Sequence, residues 1–146
     1  MMPEVEGQDS TQPGGEARQD EFDTWRALQK STDKKRADII ADIVGHPKSA
    51  PSVEELDYMN PSLSDDSIRR HLKTLKDVDV VRETEFNRGE RLRDYPRKFY
   101  QLTDSARELF DRNGLFPSEA WQRQYQSVEK TARIRELENM PRPDSK

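Results

Sequence analysis

From residue 37 to residue 75 apolar side chains recur at helical spacing, and beyond residue 78 the spacing shortens to that of strands. Ala37, Ile40, Ile43 and Val44 make one face of a helix that Gly45, His46 and Pro47 stop, with Thr32 or Ser31 placed to cap its start. After a polar loop, Ser52 and Glu55 have the spacing of a capping box, in which each residue's side chain accepts from the other's amide. A helix is therefore predicted over Val53–Met59. Pro61 lacks an amide hydrogen and biases Asn60 away from the helical region, so the chain must turn there. A third helix starts at Ser64. Within it Ile68, Leu72 and Leu75 fall at i, i+4 and i+7 and commit one face to the core, which turns Asp66, Arg69, Arg70, Lys73 and Thr74 outward and leaves Ser67 near the edge. Val78, Val80 and Val81 lead into a strand ending at Phe86. Asn87-Arg88-Gly89 signals a turn, and Phe99, Tyr100 and Leu102 supply the returning strand.

The flanks are less regular. Phe22, Trp25 and Leu28 recur every three residues, predicting a short helix over Asp23–Gln29 that lays an aromatic face on the body of the domain. Thr103 caps a helix through Asn113, with Ala106, Leu109 and Phe110 inward and Gly114 as the stop. Pro117 suits the first position of a further helix. Along it Trp121, Tyr125, Val128 and Ala132 form a stripe that must pack on another helix, either of its own domain or, as the small core favours, of a second copy of the chain. Lys130-Thr131 is a candidate break, with Ile134 and Leu137 on a last short segment. The expected organisation is a disordered acidic tail over 1–21, a helical domain with one hairpin over 22–115, a C-terminal dimerisation extension over 116–140 and a disordered end over 141–146. The fold class is mainly α with a small β-hairpin, that is, α+β.

Composition narrows the functional classes. Only 31% of residues are hydrophobic and 37% are charged, so the core is small and a partner chain is expected. The net charge of −4 is unevenly spread: Ser67 to Lys98 carries ten cations against six carboxylates, a local +4, which leaves −8 on the remainder. Such a basic stripe meets phosphates despite the acidic body, because charges beyond about 8 Å are screened at physiological salt. There is no cysteine, and His46 and His71 lie on different elements, so no metal is expected. His46 is expected to end its helix, and His71 to pack or to touch a phosphate. No phosphate-cradling glycine loop, nucleophile elbow or carboxylate pair is present, so neither enzyme activity nor a cofactor is expected. No run of about 18 apolar residues and no secretory leader is evident, which predicts a cytoplasmic protein without membrane contact.

Helix, tight turn, basic helix and Arg-rich hairpin, in that order, is the arrangement of a winged helix-turn-helix. On this reading double-stranded DNA meets Ser64, Ser67, Arg69, Arg70, Lys73 and Thr74 on the second helix of the motif and Arg88, Arg91, Arg93, Arg97 and Lys98 on the hairpin, where a guanidinium donates to two acceptors at once. Asp65 and Asp66 either cap their helix, the preferred reading, or accept from a cytosine amino group. Three basic residues on one helix would alone be an ordinary solvated face; the hairpin that follows shifts the balance.

The stretches DIIADIVGHP, SVEELDYMNPSLSDDSIRRHLKTLKDVDVV and FYQLTDSARELFDRNGLF resemble the winged helix-turn-helix of small archaeal transcription regulators of the ArsR/MarR-like type, found in haloarchaea. The resemblance spans residues 33 to 115. It implies a homodimeric, sequence-specific repressor or activator, with a recognition helix over Ser64 to Asp77 and a wing over Phe86 to Lys98. The family's metal sensors use cysteines and histidines that this chain lacks. Abundant Asp and Glu, with sixteen Arg against nine Lys, also resembles proteins of salt-saturated cytoplasm, that is, of a halophilic archaeon. The rival reading is a winged module for protein contact in transcription or replication machinery, favoured by the acidic remainder and by Asp65 and Asp66.

Overall fold

The computed structural model describes residues 21–87, 89 and 93–143. Among them are helices α1 (Thr24–Ser31), α2 (Lys34–Gly45), α3 (Val53–Met59) and α4 (Asp65–Asp77), strands β1 (Val81–Glu85) and β2 (Lys98–Leu102), and helices α5 (Asp104–Arg112), α6 (Ser118–Ser127) and α7 (Ala132–Asn139). Short polar side chains set most of the helix starts. Asp23, Asp33, Ser52, Ser64, Thr103 and Thr131 each accept from the amide three residues on. The capping box at Ser52 and Glu55 is formed in both directions. The cap of α2 is Asp33 rather than Thr32 or Ser31, since Thr32 already ends α1 through its amide bond to the Leu28 carbonyl and Ser31 is buried. Pro117 is the N-cap of α6, one residue before the helical position expected for it.

Helix α2 forms the centre. Ile39, Ile40, Ala41, Ile43, Val44 and Gly45 are all buried, because α1, α3, α4, β2 and α6 surround it. Ile68, Leu72 and Leu75 of α4, Leu56 of α3, Val80, Val81 and Tyr100 of the hairpin region, and Ala106 and Phe110 of α5 close on it. Gly45 does more than stop a helix: a Cβ there would lie 2.4 Å from the Trp121 carbonyl oxygen and 2.9 Å from the Tyr125 Cβ, so α6 crosses α2 where only glycine fits.

That crossing seats the aromatic part of the C-terminal stripe on its own domain, one of the two packings the sequence left open. Trp121 packs half-buried on the core and Tyr125 is 2% exposed, with its ring edge on His46 at 5.6 Å. Helix α6 ends at Ser127, Val128 is its C-cap, and Ala132 stands exposed on α7. The stripe is thus split over two helices, and its aromatic half is satisfied inside one chain. Of the face expected for α1, Phe22 and Leu28 pack partly on the core beside the buried Ala27 and Ser31, but Trp25 does not and is 74% exposed. Ala27 lets the helix lie close to its neighbours, which rotates Trp25 outward.

Strands β1 and β2 pair antiparallel with Val81 opposite Leu102 and Glu85 opposite Lys98. The strand begins at Val81, because Val78 ends α4 and Asp79 takes a left-handed turn at φ 61°, and it ends at Glu85, one residue before the expected Phe86. Thr103 fixes the base of the hairpin, its amide donating to the Val80 carbonyl (3.0 Å) and its hydroxyl to the Asp79 carbonyl (2.6 Å).

Candidate nucleic-acid interface

Outward from the buried Ile68, Leu72 and Leu75, helix α4 presents Asp66, Arg69, Arg70 and Lys73 to solvent. Ser64 accepts from the Ser67 amide (3.1 Å), and the Arg70 guanidinium donates to the Ser67 hydroxyl (3.3 Å), which lays Arg70 along the helix toward its N-terminus. Lys73 pairs with Asp77 at 3.3 Å, both ends being exposed, and Thr74 is half-buried. Among the described residues no carboxylate pairs with Arg69, Arg70 or Arg93. Those three arginines therefore carry the open positive potential.

The hairpin cations stand differently. Arg97 is held by Glu85 across the strands, and Lys98 lies 3.7 Å from Glu83. Glu83 also takes Lys76 of α4 at 3.0 Å, which ties the wing to that helix. Burial pushes the Glu83 carboxyl up, but the Lys76 hydrogen bond and the Lys98 charge outweigh it and hold it below its usual range. Burial, then the neighbouring Glu83 charge, pushes the Tyr100 hydroxyl up to about 12. Arg93 is exposed; Arg88 and Arg91 lie outside the described residues.

Between α3, α4 and the wing lies a cleft of about 520 Å³ lined by carboxylates (Glu54, Asp57, Asp65) and by Arg69, Arg97 and Lys98. Burial and the adjacent Asp65 carboxyl push Asp57 up. Asp65 and Asp66 occupy the first turn of α4 as expected for dipole partners. His71 packs toward α2, its Nδ1 accepting from Arg36 at 3.3 Å; burial and the Arg36 charge lower its pKa.

Sequence reasoning missed a buried polar cluster where the end of α2, the start of α3 and the segment after α7 meet. Glu55 is fully buried, and its carboxylate accepts from the Ser52 amide (3.0 Å), the Ser52 hydroxyl (3.1 Å), His46 Nε2 (2.5 Å) and Arg142 (3.0 Å). The Lys48 amide donates to His46 Nδ1 at 3.0 Å, which leaves Nε2 as the protonated nitrogen that donates to Glu55. Burial pushes the Glu55 carboxyl up, yet His46, Arg142 and the Ser52 amide together hold it below its usual range. Arg142 also donates to the carbonyls of Ala50, Leu137 and Met140 and lies over the Phe99 ring at 4.4 Å. The disordered end expected from residue 141 is therefore corrected at Arg142, which is docked. Only the capping box was visible in the sequence; the arginine lies 87 positions away from its carboxylate.

Among the described residues no cluster of His, Asp or Glu could hold a metal ion, and no helix is long and apolar enough to cross a membrane. With the geometry in place, the class is defined: the chain has a winged helix-turn-helix fold. It is similar to the solved structure of a protein with a GntR superfamily winged-helix-turn-helix domain from Halomicrobium mukohataei, at a TM-score of 0.72 and 27% identity over 83% of this chain and 87% of that one. No family model and no curated protein matches the sequence. The neighbour comes from a haloarchaeon, but its domain is of the GntR superfamily; the likeness supports the winged fold and not the ArsR/MarR type.

Proposed function

We propose that the protein is a sequence-specific, DNA-binding transcriptional regulator that works by binding, without covalent chemistry. The observation that carries this reading is the outward face of α4, where Arg69 and Arg70 stand exposed and, among the described residues, unpaired by carboxylates, beside a hairpin bearing Arg93. Helix α4 enters the major groove, and Ser64, Ser67, Arg69, Arg70, Lys73 and Thr74 meet base edges and adjacent phosphates. The wing, with Arg88, Arg91, Arg93, Arg97 and Lys98, follows the flanking backbone or minor groove. A homodimer belongs to this reading. Two recognition helices related by a twofold axis would reach grooves about 34 Å apart and select a pseudo-palindrome.

The test is selection of bound sequences from random duplex DNA at potassium concentrations rising to molar, with sedimentation analysis of the complex. The expected result is an enriched pseudo-palindrome that disappears when Arg69, Arg70 and Lys73 are changed to Glu. No enrichment at any salt would overturn the reading.

A second reading, a winged module for protein contact, draws on a specific feature. Arg97, Lys98 and Lys73 are each matched by a carboxylate, and Asp57, Asp65 and Glu54 line the cleft beside α4. Under it the triple Glu variant keeps its function.

A further inference from the structure

The backbone of the hairpin is anchored at its base. Near α5, Thr103 bonds to Asp79 and Val80, and the Tyr100 amide donates to the Pro51 carbonyl (2.9 Å). A two-stranded ribbon of five-residue strands has little stability of its own. Farther out, the descending arm meets α7. Asp94 adopts a left-handed backbone at φ 70°, and its carbonyl accepts from the Arg133 guanidinium at 2.8 Å. The same guanidinium forms a two-pronged pair with Glu54 of α3, at 2.9 and 3.0 Å, and lies over the Tyr95 ring at 5.1 Å. One turn on, Glu136 accepts from the Tyr95 hydroxyl. Tyr58 of α3 donates to the Glu129 carbonyl just before α7 at 2.5 Å, which fixes the approach of that helix.

Arg133 thus joins three parts that are far apart in sequence: the first helix of the motif, the wing and the C-terminal helix. We propose that Arg133 is a positioning residue that sets the angle of the wing against the recognition helix, with Tyr95 as the part of the wing it grips. The planar guanidinium is what makes this possible, since it donates along one edge to the Glu54 carboxylate, reaches the Asp94 carbonyl and stacks on a ring at the same time. It also neutralises Glu54, a carboxylate that would otherwise face approaching phosphates. The inference rests on the wing being a nucleic-acid contact, but its structural half does not.

The experiment has two arms. In the first, amide hydrogen exchange of the full chain without DNA compares wild type with Arg133→Ala, Arg133→Lys and the control Arg135→Ala. Hairpin amides of residues 84–86 and 98–99 should exchange about fivefold faster in Arg133→Ala, the effect of losing about 1 kcal/mol of local restraint, while α2 and α4 are unchanged. Arg133→Lys should restore less than half the protection, and Arg135→Ala should behave as wild type. Unchanged hairpin exchange, or a uniform rise across the molecule, would overturn the proposal.

In the second arm, binding to the selected duplex should fall about fivefold in Arg133→Ala. The loss should be less than additive with Arg93→Ala on the wing and additive with Arg70→Ala on α4. The opposite pattern of additivity would overturn the positioning role. If wild type binds no DNA, the function proposed above and the DNA half of this inference fall together, and the exchange arm still decides whether the clamp exists.

Discussion

Truncating Arg142 to Ala is expected to cost about 3 kcal/mol of stability, although position 142 lies past the last helix. The side chain is 10% exposed and the carboxylate it meets, Glu55, is fully buried. Removing one partner of a buried ion pair costs about 3–5 kcal/mol, because the other charge is left uncompensated. Glu55 keeps the Ser52 and His46 donors, which lowers the figure, whereas the carbonyls of Ala50, Leu137 and Met140 lose theirs, which raises it. Urea unfolding followed by circular dichroism measures the effect directly. With a slope of about 2 kcal/mol per molar, the midpoint should fall by about 1.5 M, and the thermal midpoint by roughly 10 °C. The pH dependence gives a second check. Glu55 titrates below its unfolded value of about 4.3, so its contribution is present above that pH and is lost as the pH falls through the lower folded value. Wild type should therefore lose stability below pH 4 more steeply than Glu55→Gln. A midpoint shift under about 0.3 M for Arg142→Ala, near 0.5 kcal/mol, would refute the account of a docked end.

Other outcomes follow from the same contacts. Asp42, whose carboxylate accepts from Asn60 at 2.8 Å, is pushed up to about 7 by burial and the Asp38 charge, so the fold loses stability as the pH rises from the unfolded carboxyl value of about 4 to the folded value near 7. Asp42→Asn keeps an acceptor and should stabilise by about 1–2 kcal/mol at pH 8 but not at pH 3.5, read by thermal melts at both. Gly45→Ala should cost about 2–3 kcal/mol and shift the Trp121 fluorescence, since the new methyl overlaps the α6 backbone. In DNA binding, Arg70→Ala should cost about 1–3 kcal/mol and relax preference at one position, whereas Arg93→Ala should weaken all sequences alike and lower the salt slope by about one, both measured by titration against a panel of duplexes.

How much was legible depends on how far the chemistry reaches along the chain. Helix α3 was readable to the residue, and the start of α4 to within one, because a capping box, a proline and an i, i+4, i+7 set are local signals, and local geometry determined their outcome. The hairpin's returning strand was legible for the same reason. The outward placement of Arg69 and Arg70 follows from the inward placement of Ile68 and Leu72, so the candidate face was also implicit in one helix.

The tertiary structure decided which apolar faces meet. Trp121 and Tyr125 announce a packing stripe, but whether it covers its own domain or another chain depends on a glycine 76 positions earlier than Trp121 that lets α6 touch α2. Trp25 reads as a core residue until Ala27, two places on, takes the close contact. Arg133 and Arg142 carry no local mark at all, because a charged residue near a chain end is ordinarily solvated and becomes structural only when the fold brings a buried carboxylate or a tyrosine ring to it. The sequence by itself therefore determined most of the elements, the caps of α3, α4 and α5 and the charged face of α4; only the tertiary structure decided which of the remaining charges are spent inside the molecule, since burial and pairing are properties of neighbours far apart in the chain.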